Sequence, residues 1–146
     1  MASSSNSSIR GLVLLRLLAA LGIVFGVMTL ISGGGVVFDI GEARASAGHY
    51  VGFVVLFNFL AGFAYLLAGA GLWARRRWAA WLGAGIALAT LLVFAAFGFH
   101  VLVGGAFEMR TVGAMVLRFS VWAVIALVGF RLLPKFQPDD GIHKAP

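Results

Sequence analysis

The chain of 146 residues has no cysteine and very little charge. Without cysteine there is no disulfide, no thiol redox chemistry, no thiolate metal site and no CxxC device. Charged residues are 11% of the chain and hydrophobic ones 62%, where a soluble domain carries about 25% charged residues. Such a chain cannot cover a water-facing surface, so its solvent is largely lipid. Acid is scarcer than base: five Asp and Glu stand against eleven Lys and Arg, a net charge of +6. In a soluble protein that excess would point to acidic partners. Here the basic residues flank apolar runs, so they read as membrane topology signals and contacts to anionic headgroups. Basic residues interleaved with aromatics on a polar surface are absent, which argues against nucleic acid. There is also no Ser/His/Asp pattern, no phosphate loop and no pair of intramembrane carboxylates. The last absence weakens proton-coupled transport, and together they favour a role other than catalysis.

What is present is a set of four apolar runs: Gly11–Ile31, Tyr50–Trp73, Trp78–Val103 and Val112–Leu133. Each reaches the roughly 20 residues that a helix needs to cross a bilayer core. Period-2 alternation is missing, and a spanning barrel needs more strands than this length allows. The predicted class is therefore all-α and polytopic, with four transmembrane helices. Two short connections, "ARRR" (Ala74–Arg77) and "GGAFEMRT" (Gly104–Thr111), make antiparallel neighbours in a bundle. The organisation is a polar N-terminal segment (1–10), a transmembrane domain (11–133) and a disordered tail (134–146) opened by Pro134. "ARASA" (Ala43–Ala47) looks like a signal-peptidase site. The first run is longer than a signal peptide's apolar region and ends well before it, so it is read as a retained helix. The three glycines of "SGGGVVFDIGEARASAGH" (Ser32–His49) are expected to break that helix, with the following residues lying as a cap on the membrane surface.

Lys and Arg set the orientation. Arg10, Arg16, Arg75, Arg76, Arg77, Arg131, Lys135 and Lys144 fall on one side, and Arg44 and Arg110 on the other. The bias predicts that both termini are cytoplasmic. Arg75, Arg76 and Arg77, flanked by Trp73, Trp78 and Trp81, read as an interfacial anchor that meets lipid headgroups. Arginine far exceeds lysine, and Ala and Gly are abundant, which hints at a GC-rich bacterial genome and a bacterial inner membrane. Small residues at helical spacing, such as Gly22 with Gly26 and Gly62 with Gly69, predict close helix packing.

Outside the tail, every acid and histidine lies on the outer side: Asp39, Glu42, His49, His100 and Glu108. Asn58, His100 and Arg118 then fall about 5–12 Å below the outer surface. Asn58, His100, Glu108, Arg110 and Arg118 are thus a candidate polar cluster, for ligand binding or for structure. For Arg118 three roles compete. It pairs with Glu108, Glu42 or Asp39 as a structural lock, it centres a site for an anion, quinone or headgroup, or it simply snorkels. Trp122, on the same helix face, could offer its ring to the guanidinium. His49 and His100 are candidate metal ligands with the nearby carboxylates. No HxxH, HxxxH or ExxH spacing puts two ligands on one turn, and hydrogen bonding is the commoner role for such histidines. The sequence names no cofactor.

"LLRLLAALGIVFGVM" (Leu14–Met28), with Arg16, Gly22 and Gly26, resembles the opening helix of the DoxX-like family. "GFAYLLAGAGLWARRRWAA" (Gly62–Ala80) is similar to that family's glycine-rich second helix and basic turn, and the resemblance covers residues 12–100. It implies a small four-helix membrane subunit or accessory factor, in some members linked to quinone-dependent oxidoreductases, with a membrane protein partner or a second copy of itself. It identifies no catalytic residue. The competing expectation is an outward-facing protein that binds or transports a small molecule or anion at Arg118.

Overall fold

A computed structural model describes residues 2–133, with side chains from residue 8 onward. The expected tail, with Lys135 and Lys144, lies outside the described residues. The chain forms α1 (Ala2–Val37), the short α2 (Ala43–Ser46), α3 (Gly52–Trp73), α4 (Arg77–Leu102) and α5 (Met109–Leu132). No strand occurs among the described residues. Four segments are long and apolar enough to cross a membrane: Ser8–Val37, Gly52–Trp73, Arg77–Leu102 and Met109–Leu132. Most of each faces outward, and the exposed side chains are apolar, among them Leu17, Val24, Leu60, Leu92 and Leu127.

The first helix differs from expectation. It runs through Gly33, Gly34 and Gly35 rather than ending near Ile31. These glycines serve packing: a Cβ on Gly33 would lie 3.2 Å from the Cβ of Phe59. The stop comes later. Asp39 adopts a left-handed φ of 56°, and the Ile40 N–H bonds back to the Gly35 carbonyl at 2.9 Å. The Arg44 guanidinium then caps the carbonyls of Val36 and Val37, each at 3.2 Å from Nη2, and pairs with Asp39 at 3.3 Å. A helix end leaves carbonyls without intrahelical partners, and this arginine supplies donors for them. The α3–α4 turn uses the same backbone device. Arg75 is left-handed at 56°, and the Arg76 N–H bonds to the Gly71 carbonyl at 2.8 Å.

Close approach along α1 and α3 depends on glycine. Gly69 faces Ala19 and Ile23, Gly62 faces Leu30, and Gly33 faces Phe59, so positions rise along one helix as they fall along the other. On α4 and α5, Gly83 faces Trp122 and Ala126, and Ala80 faces Gly129. The main core gathers Leu15, Ala19, Tyr65, Ala68, Leu72, Trp122 and Ile125. Tyr65 and Trp122 are fully buried, with ring centroids 4.8 Å apart. A second, smaller core of Val51, Val54, Phe97 and Met115 lies at the end that carries the 38–51 and 103–108 connections. We call this the distal end.

Candidate functional site

A cavity of about 390 Å³ opens at the distal end, between α1, the start of α3 and the first half of α5. α1 supplies Thr29, Ser32, Gly33 and Val36; α3 and its approach supply Tyr50, Val51, Val54, Val55 and Asn58; α5 supplies Arg110, Thr111, Ala114 and Arg118. Its origin is geometric. α1 and α5 meet where Gly22 faces the Trp122 ring, yet they make far less contact than α1 with α3 or α4 with α5. Between the distal halves of α1 and α5 a fissure remains, and the cavity fills it.

Two polar groups sit deep in this fissure. Asn58 is 9% exposed, and its Oδ1 has no hydrogen-bond partner. Arg118 is partly buried, and its Nε also has none. Beneath them, Trp122 Nε1 is buried without a partner, and the Tyr65 hydroxyl faces Thr90 without a bond of good geometry. Thr90 instead donates to the Ile86 carbonyl at 2.8 Å. Buried polar groups are nearly always paired, so the two orphans that line the cavity, on Asn58 and Arg118, point to a polar guest, while Tyr65 and Trp122 lie outside its lining.

The expected ion pair to Arg118 does not form. Asp39 pairs with Arg44, Glu108 lies against His49, and among the described residues no carboxylate bridges to Arg118. The reason is reach: Asp39 and Glu108 are held in the connections by local partners and Glu42 lies in the same distal connection as Asp39, while Arg118 lies about 13 Å along α5 from its start. Trp122 packs against Tyr65 with the rings tilted by 35°, and Arg16 lies over a different tryptophan, 5.9 Å from the Trp73 ring.

Of the five residues expected to cluster, the cavity gathers Asn58, Arg110 and Arg118. Glu108 and His100 lie elsewhere. The His49 N–H donates to Glu108 Oε1 at 3.0 Å, with the ring Nδ1 3.6 Å from the same oxygen. That backbone hydrogen bond, helped by the His49 ring and Arg110, holds the Glu108 carboxyl below its ordinary value. Arg110 donates to the Ser46 carbonyl at 2.6 Å. The connection 46–51 is therefore strapped to the start of α5 and forms the distal wall of the cavity. The His100 ring lies 3.3 Å from the Ala106 carbonyl and edge-on to Phe53. His49 and His100 thus serve different partners, and no group of three or more His, Cys, Asp or Glu able to hold a metal occurs among the described residues. Arg75 and Arg76 are exposed at the opposite end, where Arg77 borders a small surface pocket with Trp81 and Phe130.

Sequence reasoning missed Thr29, Ser32, Tyr50 and Thr111 as cavity residues. The signal for the first two was the pairing of hydroxyls three apart on an otherwise apolar helix. Comparison with family models, curated proteins and solved structures gave no match.

Proposed function

We propose that this chain is an integral membrane protein, an antiparallel bundle of four transmembrane helices with both termini cytoplasmic. It binds a small anionic molecule in the cavity at its outer end, with Arg118 as the counter-charge. One observation carries the reading: a partly buried guanidinium with no acidic partner lines a cavity of ligand size, which also holds Asn58 with its orphaned Oδ1. An intramembrane cation is costly, about 2.5–3.5 kcal/mol on insertion scales, and such residues face cavities or partners. A pocket of this volume, mostly apolar with a few convergent polar groups, fits small-molecule recognition. Binding is favoured over catalysis because the lining holds hydroxyls, an amide and guanidinium groups, with no carboxylate or imidazole. Within the same proposal the membrane is a bacterial cytoplasmic one, a reading that the excess of arginine over lysine supports. A role as a subunit of a larger assembly, quinone-linked by resemblance, is compatible with such a site and predicts a co-purifying partner.

The test is ligand-induced thermal stabilisation of wild type and Arg118→Gln across a panel of anions. At least one anion is expected to raise the wild-type Tm and leave that of Arg118→Gln unmoved. If no anion shifts the wild type, the reading fails.

A further inference from the structure

The cavity's walls restrict what kind of anion can use it and from which side. Besides Tyr50, Arg110 and Thr111 at its rim, the cavity has polar groups well below it. Arg118 lies eight residues beyond Arg110 on the same helix, about 12 Å deeper. Asn58 lies two turns into α3. Between these groups and the connections, the lining is mostly aliphatic, with Val36, Val51, Val54, Val55 and Ala114 beside the hydroxyls of Ser32 and Thr111. A fully hydrated inorganic ion would lose water along the aliphatic side of that wall, where no donor replaces it.

The distal wall is braced by its own contacts. Arg110 holds the Ser46 carbonyl, and Glu108 holds the His49 N–H. Gly48, at φ +65°, lets Glu108 pack so closely that a Cβ there would collide with the carboxylate. The side of the cavity away from that wall is the sparsely packed seam between α1 and α5, two helices whose remaining faces are apolar and exposed, as Val27, Met28, Ile31, Val116 and Leu117 show. That seam faces the lipid.

From this geometry, and resting on the anion-site reading above, we infer that the ligand is an amphiphile taken from the bilayer. Its oxyanion head seats between Arg118 and Asn58, and its aliphatic chain lies along the valines and leaves between α1 and α5. The guanidinium presents paired N–H donors to a carboxylate or phosphate. The Asn58 amide N–H can donate to the oxyanion, and its Oδ1 can accept from a head that also carries a hydroxyl. The chain replaces lipid against apolar walls at little cost. Single-chain carboxylates and anionic phospholipids share this chemistry.

The experiment uses the full chain in phosphatidylcholine nanodiscs. Myristate, myristyl alcohol, acetate, inorganic phosphate and phosphatidylglycerol are added separately, and affinity is read from thermal shift and titration calorimetry. Myristate or phosphatidylglycerol is expected to bind, and whichever binds tighter identifies the source. Myristyl alcohol and acetate are expected to bind at least about tenfold more weakly, since each lacks one half of the recognition. Arg118→Gln is expected to weaken the amphiphile about 10- to 100-fold. If that variant does not fold, the acid-against-alcohol comparison in wild type decides alone. Equal binding of acetate or phosphate and myristate would leave the anion site standing and overturn the amphiphile. Equal binding of alcohol and acid would overturn the role of the head. Absence of any anionic binding would overturn both readings.

Discussion

Arg118 is legible in the sequence as an anomaly, a permanent cation in an apolar run, but its partner is not. The acids that neighbour it in sequence space are drawn off by closer groups, Asp39 by Arg44 and Glu108 by His49. A guanidinium left without a carboxylate makes a specific prediction about stability. Breaking a buried ion pair costs about 3–5 kcal/mol, because it strands the other charge. No charge is stranded here, so Arg118→Leu is expected to unfold at the wild-type temperature or higher, a gain of up to about 2 kcal/mol. Thermal unfolding of both proteins in one detergent checks this, and a large loss would restore the structural lock. Asn58 was legible for the same reason as Arg118. Thr29 and Ser32 were not, because a hydroxyl in a membrane helix can satisfy itself on its own backbone, as Ser32 does on the Thr29 carbonyl at 3.4 Å.

Among the elements, α1 shows why a glycine run was misleading. In water Gly33–Gly35 would weaken a helix, but in an apolar medium unpaired backbone is costlier than lost propensity, and the helix continues. Phe59 then uses the flat surface that the glycines leave. The four helices were legible from run length alone, and so were the ends of α3, α4 and α5 to within about three residues, while the far end of α1 was not, since it depends on a tertiary cap, Arg44 on Val36 and Val37. Packing through glycine can be measured. A Cβ at Gly69 would come within 2.7 Å of Ile23 and 3.0 Å of the Ala19 carbonyl, so Gly69→Ala is expected to cost about 1–3 kcal/mol. Gly85, with nothing within 4 Å of its Cβ position, should accept alanine with no loss and a gain of up to about 1 kcal/mol. The strap at Glu108 predicts a pH response. Its carboxyl titrates below the ordinary 4.5 because the folded state stabilises the charged form. A depressed folded value contributes stability above the unfolded value, and that contribution is lost as pH falls through the folded one. Amide exchange at His49 should therefore accelerate, after correction for intrinsic rates, as pH drops below about 4.5. In Glu108→Gln that pH dependence should vanish. Unchanged protection of His49 across this range would remove the carboxylate from the strap.

For the molecule as a whole, the consequence of the cavity depends on which end of the bundle faces out. Helix contacts are the same in either orientation, so only the charge bias bears on it: three arginines at the α3–α4 turn against Arg44 and Arg110 at the distal connections. The absence of cysteine makes the question directly measurable, because any introduced thiol is the only one in the chain. Ala45, in α2 of the strap, and Ala74, in the α3–α4 turn, are both exposed and lie at opposite ends. In intact bacteria a membrane-impermeant maleimide is expected to label Ala45→Cys and to reach Ala74→Cys only after permeabilisation. The opposite pattern would turn the cavity toward the cytoplasm, and its anion would then come from the inner leaflet, the richer in negative charge. Labelling of both sites in intact cells would mean two orientations in one membrane. The seam between α1 and α5 would then open into both leaflets, and Arg118 would face each in a different copy of the chain.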